Sequence, residues 1–311
     1  MMKIYRALLS ILVVGLVIIG CSPSTEEANN DAELTIYTSI YPIQYAVERI
    51  GGKNVTVKSV YPPGVDAHTY EPASKEMTSI AKGDAFIYLG AGMEGFAESA
   101  AGALASQDVK LIEIGEHEEL FHAAAHDEEH HHDGHDHGDH DPHIWLDPLK
   151  MVDVSNIIKD ELITLNPDKE EVYNDNFNAL KEDLVALDHD FLDVLHAKKD
   201  KQILVSHAAF GYWEERYGIE QIAINGLSSS SEPSQKDLTK IIEQAREHNL
   251  DYIIFEQNSS NRVSEIIQDH IGAEALTIHN LAVLTDQDIE NDENYLSLMG
   301  YNLEILNKAT K

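Results

Sequence analysis

Three histidines stand in segments that suit a metal ion. His68 lies in Tyr61-Pro62-Pro63-Gly64-Val65-Asp66-Ala67-His68-Thr69-Tyr70-Glu71-Pro72, His143 in Asp141-Pro142-His143-Ile144-Trp145-Leu146-Asp147-Pro148, and His207 in Val205-Ser206-His207-Ala208-Ala209-Phe210-Gly211-Tyr212. Three neutral imidazoles make a good ligand set for Zn2+, with a fourth position left to a carboxylate or to water. A ligating histidine usually gives its second ring N–H to a carboxylate, hydroxyl or carbonyl. Asp66, Glu71, Asp147 and Ser206 are near enough in sequence to accept or relay such a bond, and each could equally cap a helix or form a turn. His189, His196, His248 and His270 are read as ordinary solvated or capping side chains.

A denser histidine signal precedes His143. Residues 126–144 read HDEEHHHDGHDHGDHDPHI and hold eight of the chain's 17 histidines. Such a stretch cannot build a core, so its composition serves solubility, metal contact or both. His126, His130, His131, His132, His135, His137 and His140 form an expected auxiliary metal loop. Unperturbed histidines titrate near pH 6.5, so collection of ions there should fade in mild acid.

The elements that must position the three histidines alternate along the chain. Strands are expected at 34–38, 55–60, 85–89 and 109–114, with helices at 43–50, 75–81 and 95–105. Residues 151–165 carry apolar side chains at helical spacing, and 170–197 run without Gly or Pro with Phe177, Leu180, Leu184, Leu187, Phe191 and Leu195 at three- and four-residue steps. At 1.5 Å per residue the second helix is about 40 Å long, the height of two stacked lobes. Alternation then resumes, with strands at 202–205, 221–224, 252–255 and 275–278 and helices at 210–217, 234–248, 262–271 and 294–308. This order implies βαβ units and parallel sheets. The fold class is α/β: two lobes with parallel sheets, joined by one long helix. Each of the three histidines follows a strand or the loop after one, and ligands gather at the carboxyl ends of parallel strands.

Composition bounds the partners. With 22 basic and 55 acidic residues the formal charge is −33, which argues against nucleic acid and fits cations or simply a solvated acidic surface. Lys3 and Arg6 precede an apolar run from Ala7 to Ile19, too short for a comfortable membrane span, followed by Gly20-Cys21. Ile18-Ile19-Gly20-Cys21 resembles a bacterial lipobox, whose cysteine is lipidated and becomes the mature N-terminus. Cys21 is the single cysteine, so neither an intrachain disulfide nor a thiolate metal site is available. The expected organisation is a lipoprotein signal peptide at 1–20 and a polar tether at 21–32. An N-terminal lobe at 33–148 includes the histidine-rich loop 117–140, a linking helical region covers 149–198 and a C-terminal lobe 199–311.

The segments PPGVDAHTYEP, DPHIWLDP and VSHAAFGYW, in that order, resemble the metal-binding subunits of bacterial zinc and manganese ABC importers, the cluster A-I solute-binding proteins. The resemblance runs over the mature chain and includes Asn225-Gly226-Leu227, Phe255-Glu256 and the terminal Tyr295-Leu296-Ser297-Leu298-Met299. It implies two (β/α)4-like lobes joined by a long rigid helix, with an ion held between them by His68, His143 and His207. It also implies delivery to a cognate permease and its ATPase by a monomeric, extracytoplasmic protein anchored to the cell membrane through Cys21. Zinc members are similar in carrying His at the third position and an acidic histidine loop before the second, whereas manganese members usually carry Glu and lack the loop. Imidazole favours Zn2+ over Mn2+ on chemical grounds as well. The chain departs from the family at Ala282, where many relatives have an acidic fourth ligand. Water is the expected substitute, with Glu256 or His279 as alternatives.

Other readings remain open on the sequence. A manganese or other divalent-metal carrier would use the same fold. A secreted zinc hydrolase needs a general base at an open metal position, for which Glu256 is the candidate, but no HExxH signature is present. An adhesin or zinc store has no residue pattern that specifies its partner.

Overall fold

The computed structural model describes residues 33–121, 140–229, 231, 233–258 and 262–311. Cys21 and the tract histidines His126, His130, His131, His132, His135 and His137 lie outside the described residues. His140 lies within them, with its ring centroid 6.4 Å from that of Phe121.

The first sheet is built from β1 (Leu34–Thr38), β2 (Val55–Ser59), β3 (Ala85–Tyr88) and β4 (Lys110–Glu113), in the order β2-β1-β3-β4 and parallel throughout. Its helices are α1 (Tyr41–Gly51), α2 (Ser74–Ile80) and α3 (Gly95–Leu104). β3 is buried at every position because it is central and covered on both faces, which is why it reads as an unbroken apolar run.

The linking pair follows. α4 (Pro148–Leu165) starts three residues earlier than its apolar periodicity suggests, because Pro148 occupies the first helical position and Asp147 caps it, accepting from the Leu149 and Lys150 amides. α5 (Glu170–His196) spans 27 residues and buries Tyr173, Phe177, Leu180, Leu184, Leu187, Phe191 and Leu195 along one face. Each such burial contributes roughly 1.5–3 kcal/mol.

The second sheet repeats the first. β5 (Gln202–His207), β6 (Glu220–Asn225), β7 (Tyr252–Glu256) and β8 (Glu274–Ile278) run parallel in the order β6-β5-β7-β8. Its helices are α6 (Gly211–Tyr217), α7 (Gln235–Glu247), α8 (Arg262–Ile271), α9 (Asp286–Glu290) and α10 (Tyr295–Ala309). The short α9 has no apolar periodicity to announce it; a Thr285–Asp288 capping box starts it. β5 and β7 each run further than their apolar residues alone suggest. His207 is therefore the last residue of β5 rather than a residue beyond it, and Glu256 ends β7.

α5 packs against α4, α1, α10 and α6. Arg216 of α6 reaches Asp188 of α5 through two bonds of 2.6 Å, and Tyr217 adds a third at 3.0 Å. The lobes are further joined by backbone. The Tyr41 amide donates to the Ala282 carbonyl at 2.8 Å and the Gly64 amide to the Leu284 carbonyl at 2.9 Å. Trp145 Nε1 donates to the Asn280 carbonyl at 2.7 Å, and Tyr295 donates to the Trp145 carbonyl at 2.7 Å. Leu281 within this joint has a positive φ of 61°, an uncommon state for leucine, and is held in it by burial and by the His279–Asn302 bonds beside it.

Candidate metal centre

The repeated strand order places a switch point at β5, whose neighbours β6 and β7 leave in opposite directions. His207 stands there. β5 pairs with β7 through Val205 and Ile254, and just beyond that pairing the His207 side chain meets Glu256. The Nδ1 of His207 bonds Glu256 Oε1 very closely, and the other carboxylate oxygen accepts from Asn280 Nδ2 at 2.6 Å. His207 Nε2 is thereby turned away from its own sheet.

His143 is set by its own short turn. Asp141 Oδ1 accepts from the His143 amide at 3.0 Å and from the His143 ring at Nδ1, 2.7 Å away. Tyr212 clamps the turn by donating to the Asp141 carbonyl at 2.8 Å. A Cβ on Gly211 would come within 2.5 Å of Asp141 Oδ2, so glycine is what allows that carboxylate to sit against α6. His68 is carried by a loop. Its amide donates to Asp66 Oδ1 at 2.8 Å, and the Asp66 carbonyl accepts from Thr69 and Tyr70.

The three rings meet. Their centroids are 5.5 Å apart for His68 and His143, 5.7 Å for His68 and His207, and 5.2 Å for His143 and His207. One nitrogen from each lies within 4.8 Å of the others, and the Nε2 atoms of His143 and His207 are 3.3 Å apart. Two imidazoles on a tetrahedral Zn2+, with Zn–N near 2.0–2.1 Å, hold their nitrogens about 3.3 Å apart. Among the described residues no other set of three His, Cys, Asp or Glu donors gathers in this way.

Electrostatics differ across the trio. Burial, followed by the neighbouring His143 and His207 rings, pushes the pKa of His68 down to about 3. Burial opposes the charge on His207 too, but the charge and hydrogen bond of Glu256 outweigh it and raise the pKa of His207. Burial likewise opposes ionisation of Glu256, yet the interaction with His207 wins and lowers its pKa. With Nδ1–H of His143 directed to Asp141, its Nε2 lone pair faces His207, whose Nε2–H can fill the gap. A cation placed there replaces that proton.

The remaining sequence candidates have other occupations. Asp147 caps α4, and Glu71 is exposed. Ser206 donates to Glu256 Oε1 at 3.4 Å and so acts behind His207. Both oxygens of Glu256 are engaged by His207 and Asn280, which leaves neither poised as a general base or a metal donor. His279 is engaged at both ring nitrogens, Nε2 with Asp288 at 3.0 Å and Nδ1 with the Leu281 amide at 2.9 Å. Ala282 is buried in the joint and offers no donor side chain. Sequence reasoning overlooked Asp141 as the orienter of His143. The signal was present: Asp66-Ala67-His68 and Asp141-Pro142-His143 share one Asp-x-His spacing, and in both the aspartate accepts from the histidine amide.

The chain matches the family described as zinc-uptake complex component A, periplasmic, over residues 36–309. It is 32% identical over 313 residues to a zinc-binding lipoprotein, AdcA, of Streptococcus pneumoniae, an alignment covering 98% of this chain and 60% of that protein. The chain thus spans about three fifths of the length of that relative. It is 29% identical to the high-affinity zinc uptake system protein ZnuA of Bacillus subtilis, with 98% of each chain covered. Among solved structures, the Zn(II)-bound ZnuA-like domain of Streptococcus pneumoniae AdcA superposes with a TM-score of 0.74 at 30% identity, covering 89% of this chain and 99% of that one.

Proposed function

The chain belongs to the zinc-uptake complex component A family, and from that premise we propose that it captures Zn2+ between its lobes for delivery to an ABC permease and its ATPase. His68, His143 and His207 hold the ion, and water completes the tetrahedron. The observation that carries this reading is the 3.3 Å between the His143 and His207 Nε2 atoms, each ring backed by a carboxylate at its far nitrogen. Such backing fixes the tautomer and raises the basicity of the ligand. An all-imidazole set prefers Zn2+ to Mn2+, which favours carboxylate oxygen. No covalent chemistry is required of the site.

The domain limits that go with this function are 33–148 for the lobe carrying His68 and His143, 149–198 for the linking helices and 199–311 for the lobe carrying His207. The protein acts as a monomer outside the cytoplasm, tethered by a lipid on Cys21. Titration calorimetry with a competing chelator tests the binding claim: Zn2+ binds tightly, Mn2+ far more weakly, and His207→Ala abolishes the tight phase. Equal affinity for the two ions, or tight binding that survives His207→Ala, overturns it.

A further inference from the structure

The loop bearing His68 crosses the cleft at one side chain. Asp66 Oδ1 holds the His68 amide, while Asp66 Oδ2 accepts from Ser229 Oγ of the opposite lobe at 2.6 Å. Ser229 is tied back in turn, its carbonyl accepting from Asn225 Nδ2 at 3.2 Å. Asn225 ends β6 and pairs in register with His207 of β5. A continuous chain of bonds therefore runs from the amide of one metal-facing histidine to the strand pair that carries another. Its length is two side-chain bonds beyond Asp66.

We infer that Asp66, Ser229 and Asn225 form a clasp that couples the His68 turn to the His207 strand and sets the rate at which the bound ion leaves. They are positioning residues and do not touch the ion. The inference rests on the proposed zinc-binding function and deepens it by naming the step that limits release.

The rest of the joint explains why release is concentrated here. At Tyr41, Gly64 and Trp145 the lobes are joined through bonds to the backbone carbonyls of Ala282, Leu284 and Asn280. The loop is thus pinned at Gly64, and beyond it the Asp66–Ser229 bond ties the turn to the opposite lobe. From within its own lobe the turn is held by Tyr61, which donates to the Ala67 carbonyl at 3.2 Å. His68 is also the most exposed of the three histidines, so it is the ligand that can withdraw without unpacking a core.

The test uses the full chain loaded with Zn2+ and stopped-flow transfer of the ion to excess chelator. Ser229→Ala removes the cross-cleft bond while leaving the Asp66–His68 turn intact. A hydrogen bond to a charged acceptor sets the scale, so release should quicken about tenfold or more. Ser229→Thr keeps the hydroxyl and should release at the wild-type rate. Co2+ spectra of both variants should match wild type, because the ligand set is unchanged, and so should their melting temperatures. Unchanged release in Ser229→Ala, or equal acceleration in Ser229→Thr, overturns the clasp. If the wild-type chain takes up no Zn2+ in the loading step, the proposed function falls and the clasp falls with it.

Discussion

His207 and His68 face the same point, yet the protein holds them by different means. His207 ends a strand, is almost fully buried and bonds an ionised glutamate at its far nitrogen. His68 sits on a loop and is held through its backbone amide, and no bond to its ring is recorded among the described residues. Their pKa values move in opposite directions accordingly, His207 raised through Glu256 and His68 lowered to about 3 by burial and its neighbouring rings. His143 belongs with His207, since Asp141 backs its ring. The difference separates two tasks. On the proposed function, two of the histidines are fixed in aim and would build the affinity, while the third is fixed only in its turn and would govern exchange.

The comparison breaks most sharply at the ligands themselves. His207→Ala and His143→Ala should each lower Zn2+ affinity by more than the 10- to 100-fold expected for loss of an outer partner, read by competition with a chelator of known strength. His68→Ala should leave a weak two-histidine site whose Co2+ spectrum shows an extra solvent ligand. If His68→Ala proves the most damaging of the three, the division into aiming ligands and an exchanging ligand is wrong.

A smaller effect should come from the carboxylates behind the rings. Glu256→Gln and Asp141→Asn keep shape and remove charge, and each should cost about 10- to 100-fold in affinity. Ligands must be deprotonated to bind, so affinity falls as pH drops through the raised pKa of His207. With Glu256→Gln that fall should shift to lower pH, because the charge that holds the proton on His207 is gone. Asp66→Ala should act on release rate more than on affinity. An Asp66→Ala affinity loss equal to that of Glu256→Gln would erase the contrast.

A second pair of residues sharpens the same contrast through stability. Glu94 is as buried as Glu256 but has no cation beside it among the described residues; its oxygens accept from the Leu89 and Gly90 amides and meet the Tyr61 hydroxyl. Burial raises its pKa from 4.5 to about 7, despite the bonds from Ser39, Gly90, Tyr61 and Leu89 that pull the other way. The folded state therefore keeps a proton that the unfolded chain loses between pH 4.5 and 7. That contribution is complete below pH 4.5 and is lost as pH rises through 7, amounting to roughly 3 kcal/mol at most. Glu94→Gln should unfold at higher denaturant than wild type at pH 8, with the advantage gone at pH 4.5. An advantage that persists unchanged at pH 4.5 would assign it to packing instead of to the proton.

Much of this arrangement is legible in the sequence. The alternation of apolar strands and helices implies two parallel sheets, and the unbroken periodicity of residues 170–197 places α5 to within one residue of its observed end. Strand order places His207 at the carboxyl end of β5 and puts His68 and His143 in loops after strands of the other sheet, which follows from topology. What remained hidden depends on side-chain direction. Glu256 lies 49 positions from His207, and only the β5–β7 register makes it an orienter in place of a fourth ligand. Ser229 lies 163 positions from Asp66 and carries no local pattern. α9 escaped because a five-residue helix held by a cap has no face to bury.

The histidine-rich tract should give the smallest effect on the tight site, and it tests whether that site is complete without it. The three cleft histidines draw their aim from Asp141, Glu256 and Asp66, all of which lie outside residues 117–140. Deleting 117–140 therefore leaves each of those bonds in place, provided the chain is rejoined ahead of Asp141. Calorimetry should then show one tight site with wild-type affinity and fewer weak equivalents. Because ions and protons compete for imidazole nitrogen, the lost equivalents should be those that fade in wild type on mild acidification. A deletion that removes the tight phase as well would mean that the tract supplies a ligand, and the carboxylate-backed pair could no longer account for the affinity.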